Sequence, residues 1–171
     1  MIRLHEFKDN GLKVNWGTIL IGLDGPGKLP PQIIPREVVD YAVELVSQNN
    51  NQPDNVWILA DLSENDTSEI KRLVWELEKG EKVSREVEFD KWKVLLLQRI
   101  LSELNNEPIY DLLKLTEFWE KFDYPKDSPH IVQGLHNDIS PTDYYTEENY
   151  KEIVKNHKLW IAAKLSQLGR T

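Results

Sequence analysis

Residues 15–31 read N-W-G-T-I-L-I-G-L-D-G-P-G-K-L-P-P, and two folds compete for them. Gly22, Gly27 and Lys28 have the spacing of a phosphate-binding loop, which would place the chain among α/β nucleotide-binding proteins. Such a loop needs Ser or Thr after the lysine to hold magnesium, and a helix starting there so that its amides face the phosphate. Here Leu29 follows Lys28, and Pro30 and Pro31 bias the chain towards extended geometry. The alternative satisfies every residue. Asn15 caps a short helix with Trp16, Ile19, Leu20 and Leu23 inward, Gly22 or Gly25 ends it, and a proline-rich turn leads onward.

Helical spacing continues in the rest of the chain. Pro35 opens a helix carrying Val38, Val39, Ala42, Leu45 and Val46 on one face. Asp54 or Asn55 caps a short helix holding Val56, Trp57, Leu59 and Ala60. D-T-S-E at 66–69 has the form of a capping box, with Ile70, Leu73, Val74 and Leu77 behind it and Gly80 at its end. Residues 85–104 are apolar around much of their circumference, as expected of a central helix. After Asn105, Asn106 and Pro108, the spacing puts Ile109, Leu112, Leu113, Thr116 and Trp119 on one side of the next helix. Thr146 caps a last helix with Tyr150, Ile153, Val154, His157, Trp160, Ile161, Lys164, Leu165 and Leu168 inward. Strand signals are confined to R-L-H-E-F at 3–7 and H-I-V-Q at 130–133. The expected fold is mainly α: a single domain over 1–171, an irregular bundle of about six or seven helices with at most a small β-hairpin.

Composition narrows the function. The chain has 171 residues, a net charge of −8, six Trp, six Tyr and no Cys. That acidity disfavours a nucleic-acid binder, which needs a basic face. Without cysteine there is neither a disulfide framework nor a thiolate zinc site. The charged N-terminus lacks a signal core, and no stretch nears the roughly 20 apolar residues of a membrane span. A cytoplasmic location is expected.

Catalytic spacing is weak. His130, His136, Asp138 and Asp143 share one loop and offer imidazoles and carboxylates that could serve a metal-dependent hydrolase, though no zinc signature matches them. His157 lies on an apolar helix face and reads as a hydrogen-bonded core or boundary histidine rather than a ligand. Trp57, Trp92, Trp119 and Trp160 fall on apolar faces. Trp75 sits about 100° round from Val74 and is either the edge of a broad stripe or a contact residue, with core the simpler reading. Acids concentrate at 61–69 and again at 138–152, and the second group exceeds what a helix N-terminus needs. With adjacent tyrosines it suits a surface that meets a basic protein. The expected contact residues are Asp138, Asp143, Tyr144, Tyr145, Glu147 and Glu148. No catalytic residue, metal or cofactor is expected.

N-W-G-T-I-L-I-G-L, D-Y-A-V-E-L-V and F-W-E-K-F-D-Y-P-K-D resemble a bacterial family known as domain of unknown function 2247. Trp16-Gly17, Tyr41-Ala42, and Tyr124, Pro125 and Asp127 carry the resemblance. Proteins of this kind look like immunity proteins of bacterial toxin systems, including contact-dependent growth inhibition. The resemblance therefore implies a non-enzymatic protein that neutralises a cognate toxin domain, a basic nuclease, by blocking its active site. Nucleic acid, membrane and small-molecule substrates are not expected partners. The metal-dependent hydrolase and a helical adaptor with an unrelated partner remain the alternatives.

Overall fold

The computed structural model describes residues 1–169. Nine helices and no strand are found among them: α1 (Leu4–Asp9), α2 (Trp16–Asp24), α3 (Pro35–Gln48), α4 (Asp54–Asp61), α5 (Thr67–Lys79), α6 (Arg85–Ser102), α7 (Pro108–Glu120), α8 (Pro141–Tyr144) and α9 (Glu147–Leu168). Contacts divide the chain into two compact units, Met1–Trp92 and the residues from Lys93 onward, with the boundary inside α6.

In the first unit α2 packs on α5, and α3 on α4 and α5. The stretch at 15–31 is helix and turn, with no phosphate loop. Gly22 lies inside α2, where an added Cβ would stand 2.5 Å from both Ile33 Cδ1 and Trp92 Cζ2, so only glycine fits. Gly25 ends the helix at φ 99°, and a Cβ there would meet the Leu29 carbonyl oxygen. The Gly22 carbonyl accepts from Gln32 N (2.8 Å) and Ile33 N (3.2 Å), which pins the returning proline turn. At the other end, Trp16 N (2.9 Å) and Gly17 N (3.0 Å) donate to the Glu81 carboxylate, an anion on a helix N-terminus. Tyr41 donates to the Val14 carbonyl (3.2 Å) and packs edge-on against Trp16 (5.6 Å).

A buried polar network lies within this unit. Glu88 and Lys91 are each 1% exposed. Glu88 Oε1 accepts from Asn15 Nδ2 (2.8 Å) and Lys91 Nζ (2.8 Å), and Oε2 accepts from the Thr18 hydroxyl. Lys91 also donates to the Lys13 carbonyl (2.9 Å), and Trp92 Nε1 donates to the Thr18 carbonyl (2.9 Å). Each charge keeps several partners, the condition under which a buried ion pair is tolerated.

In the second unit α9 packs on α7 and α8. Trp119 is fully buried, edge-on to the half-buried Trp160 at 5.3 Å. Lys164 Nζ pairs with Asp127 Oδ2 at 2.7 Å, tying the Tyr124-Pro125-x-Asp127 turn to α9. Burial pushes Asp127 up, but the bonded Lys164 ammonium, with Lys93 behind it, outweighs this and holds it below the usual carboxylate range.

Several local expectations give way. Residues 4–7 belong to α1 and Arg3 precedes it as the N-cap: Leu4 and Phe7 are buried one turn apart, and Glu6 accepts from Arg3 N at 2.7 Å, a helix-start contact. Residues 130–133 form no strand. The capping box at 66–69 does not close. Glu69 forks onto Arg72 (2.9 and 2.6 Å), a charge-assisted bond one turn on, and Asp66 Oδ2 takes Ser63 N (3.1 Å). Trp57 and Trp75 are 43% and 46% exposed, because Val56 and Leu59, and Ile70, Leu73, Val74 and Leu77, already complete the inward stripes. The face of α7 is rotated from that expected. Asp111, Leu112, Leu115, Phe118 and Trp119 are buried, while Ile109 and Leu113 are exposed. Asp111 causes this: its carboxylate accepts from Asn105 N (3.1 Å), Glu107 N (3.1 Å) and Tyr150 Oη (2.9 Å), so it must face inward.

Candidate functional site

The acidic segment from 130 to 148 is held in shape by a few side chains. Asn137 is its hub. Its Nδ2 donates to the carbonyls of Val132 (2.8 Å) and Leu135 (2.9 Å), and its Oδ1 accepts from Gly134 N (3.2 Å) and Ile139 N (3.2 Å). Gln133 Nε2 closes the loop on the Ile139 carbonyl (2.8 Å). Gly134 (φ 74°) and His136 (φ 58°) take left-handed backbone to make the turn. Ser140 then caps α8 by accepting from Asp143 N (3.2 Å), and Thr146 caps α9 by accepting from Asn149 N (3.3 Å), as its position in the sequence implies.

On this frame Asp138, Asp143, Glu147 and Glu148 are all exposed, and Tyr145 is half-buried. Tyr144 differs from the other five expected contact residues. It is 1% exposed, its hydroxyl donates to the Ile131 carbonyl (2.6 Å), and burial pushes it up to about 12. It therefore fastens the loop to α8 from beneath instead of adding contact area, and it supports Tyr145 edge-on at 4.9 Å. Asp143 accepts from the Ser140 hydroxyl (2.7 Å), and Glu147 pairs with Lys151 (2.6 Å), whose bond and charge hold it below the usual carboxylate range. Two residues not singled out by sequence reasoning join the surface: Ile131 and Leu135 are 46% and 43% exposed on the same ordered loop. Their apolarity alone gives no hint of exposure, since the loop geometry that turns them outward is set by Asn137.

The four residues considered as metal ligands do not converge. Among the described residues no group of three or more His, Asp or Glu side chains is placed to hold a metal ion. His136 is exposed, whereas His130 turns inward. The Thr116 hydroxyl donates to the Leu112 carbonyl (2.9 Å) and so must accept from His130 Nε2 (2.8 Å), leaving His130 Nδ1 a buried acceptor without a partner. His157 is fully buried, as its place on the apolar face implies. Trp119 Nε1 donates to its Nε2 (2.9 Å), so the proton sits on Nδ1, which donates to the Ile153 carbonyl (2.7 Å). The His130 and His157 rings are 5.3 Å apart. Burial, with His157 adding to it, lowers His130 to about 3, and burial lowers His157 to about 4. Both are neutral structural groups at pH 7.

The family model described as "Uncharacterized protein conserved in bacteria (DUF2247)" matches residues 4–165, and the chain belongs to that family. No curated protein and no solved structure matches the chain. Among the described residues no helix is long and apolar enough to cross a membrane.

Proposed function

We propose, with that family membership as the premise, that this chain is an immunity-type protein that binds and neutralises a cognate bacterial toxin domain. The partner is a basic nuclease, covered at its active site, and the encounter takes place in the cytoplasm. The observation that carries this reading is the set of exposed carboxylates, Asp138, Asp143, Glu147 and Glu148, on a segment ordered by its own hydrogen bonds. A pre-ordered segment loses little conformational entropy on binding. Its carboxylates would occupy positions taken by substrate phosphates, and Tyr145, Ile131 and Leu135 would supply desolvated contact area.

The test is binding to the toxin domain encoded beside the chain. Reversal of Asp143, Glu147 and Glu148 to Lys is expected to slow association and to weaken binding on the order of a hundredfold, because like charges set against a basic surface cost several kcal/mol. Unchanged affinity in that variant would remove this face from the interface. Failure of the unmodified chain to bind or inhibit the toxin domain would overturn the function.

A further inference from the structure

The Met1–Trp92 unit carries a cleft of the opposite character. Leu20 and Asp24 of α2, Lys71, Arg72 and Trp75 of α5, and Arg85 at the start of α6 line a space of about 460 Å³. Trp75 is 46% exposed, and the Lys79 ammonium stands over its ring, 2.9 Å from the centroid. Lys71 pairs with Asp24, and Arg72 with Glu69. These pairs are exposed, and exposed pairs exchange partners at little cost. Arg85 has no carboxylate partner among the described residues; its guanidinium lies 5.9 Å from the Phe89 ring. Among the charged residues that line the cleft, Lys71, Arg72 and Arg85 outnumber Asp24 by two, a local positive excess on a chain whose net charge is −8.

We infer that this cleft binds an acidic segment of a partner protein, with a carboxylate on Arg85 and a neighbouring apolar side chain on Trp75 and Leu20. Two features favour this occupant. A guanidinium without a carboxylate can offer a fork of donors that matches a carboxylate, which a lysine cannot reproduce. An exposed Trp beside Arg combines the two residue types most enriched among binding hot spots, and the core does not need this ring. The inference is independent of the acidic face on residues 138–148, which would meet a basic surface.

The experiment is a titration of the full ¹⁵N-labelled chain with a short peptide alternating Glu and Leu, and with the same peptide carrying Lys in place of Glu. The Glu-Leu peptide is expected to move the Trp75 indole resonance saturably. Trp75→Ala and Arg85→Glu should each weaken that binding roughly tenfold. Both residues are exposed, so both variants should melt like the parent, which a thermal scan verifies. The inference is overturned if the Glu-Leu peptide gives no saturable shift, if the Lys-Leu peptide binds equally well, or if Arg85→Glu binds as tightly as the parent.

Discussion

Glu88 and Glu147 are the same side chain in opposite situations. Glu88 is 1% exposed and takes bonds from Asn15, Thr18 and Lys91, all within the Met1–Trp92 unit. Glu147 stands in water at the start of α9 with one exposed lysine beside it. Desolvation makes the difference. A buried carboxylate is retained only with a full set of donors, and removing one partner leaves the other charge stranded. An exposed carboxylate contributes little to folding, and its charge remains available to a partner. Asp111 belongs with Glu88, whereas Asp138, Asp143 and Glu148 belong with Glu147.

That contrast can be broken at several points. Glu88→Leu strands the Lys91 ammonium and should cost about 3–5 kcal/mol in chemical denaturation, while the double change with Lys91→Met should recover most of the loss. A single-variant cost below about 1 kcal/mol would show that the network does not hold the fold. Asp111→Ala leaves Asn105 N, Glu107 N and Tyr150 Oη without their acceptor and should cost about 2–3 kcal/mol by the same measurement.

The buried histidines set a pH dependence. Their folded-state values, about 3 for His130 and about 4 for His157, lie below the unfolded value of 6.5. Above pH 6.5 both states hold them neutral, and they give no slope. Below it the unfolded chain takes up protons that the folded chain refuses, so stability falls with pH down to about 4 for His157 and about 3 for His130. A denaturation series should be flat in this respect above neutrality and decline below it. His130→Leu should make the decline shallower, and an equal slope in that variant would contradict the assignment.

Smaller effects are expected on the acidic segment. Asn137→Ala should raise amide hydrogen exchange over 132–139, with a global loss of only about 1 kcal/mol, since the loop sits outside the core. Reversal of Asp143, Glu147 and Glu148 to Lys places cations in the first turns of α8 and α9 and sets Lys against Lys151, so it should cost about 1–2 kcal/mol without unfolding the chain.

The parts of this division legible in the sequence are those fixed over a turn or two of chain. Pro35, Thr146 and Gly25 mark helix ends through local chemistry, and the helical reading of 15–31 rests on neighbouring residues, Leu29-Pro30-Pro31 against a phosphate loop and the apolar spacing of Trp16, Ile19, Leu20 and Leu23 for a helix. The misread elements depend on a distant partner or on a competition between donors that spacing does not decide. The face of α7 turns because Asp111 meets Tyr150, which lies 39 residues away. Glu69 had two local choices, a backbone amide and Arg72, and the charged donor won. At the acidic segment, charge implied exposure correctly for the four carboxylates. Tyr144 looked like its neighbour Tyr145, yet only the Ile131 carbonyl, brought over it by the loop, decides that it is buried.

The most direct test of the central claim pairs stability with binding in one variant. Asp143, Glu147 and Glu148 are reversed to Lys, the melting temperature is recorded, and the affinity for the proposed toxin partner is measured by calorimetry. A melting temperature lowered by only a few degrees, the chain still fully folded, with affinity lowered on the order of a hundredfold is the predicted result. Unaltered affinity, or a loss of affinity that accompanies unfolding, would contradict the separation of fold-holding from partner-binding carboxylates.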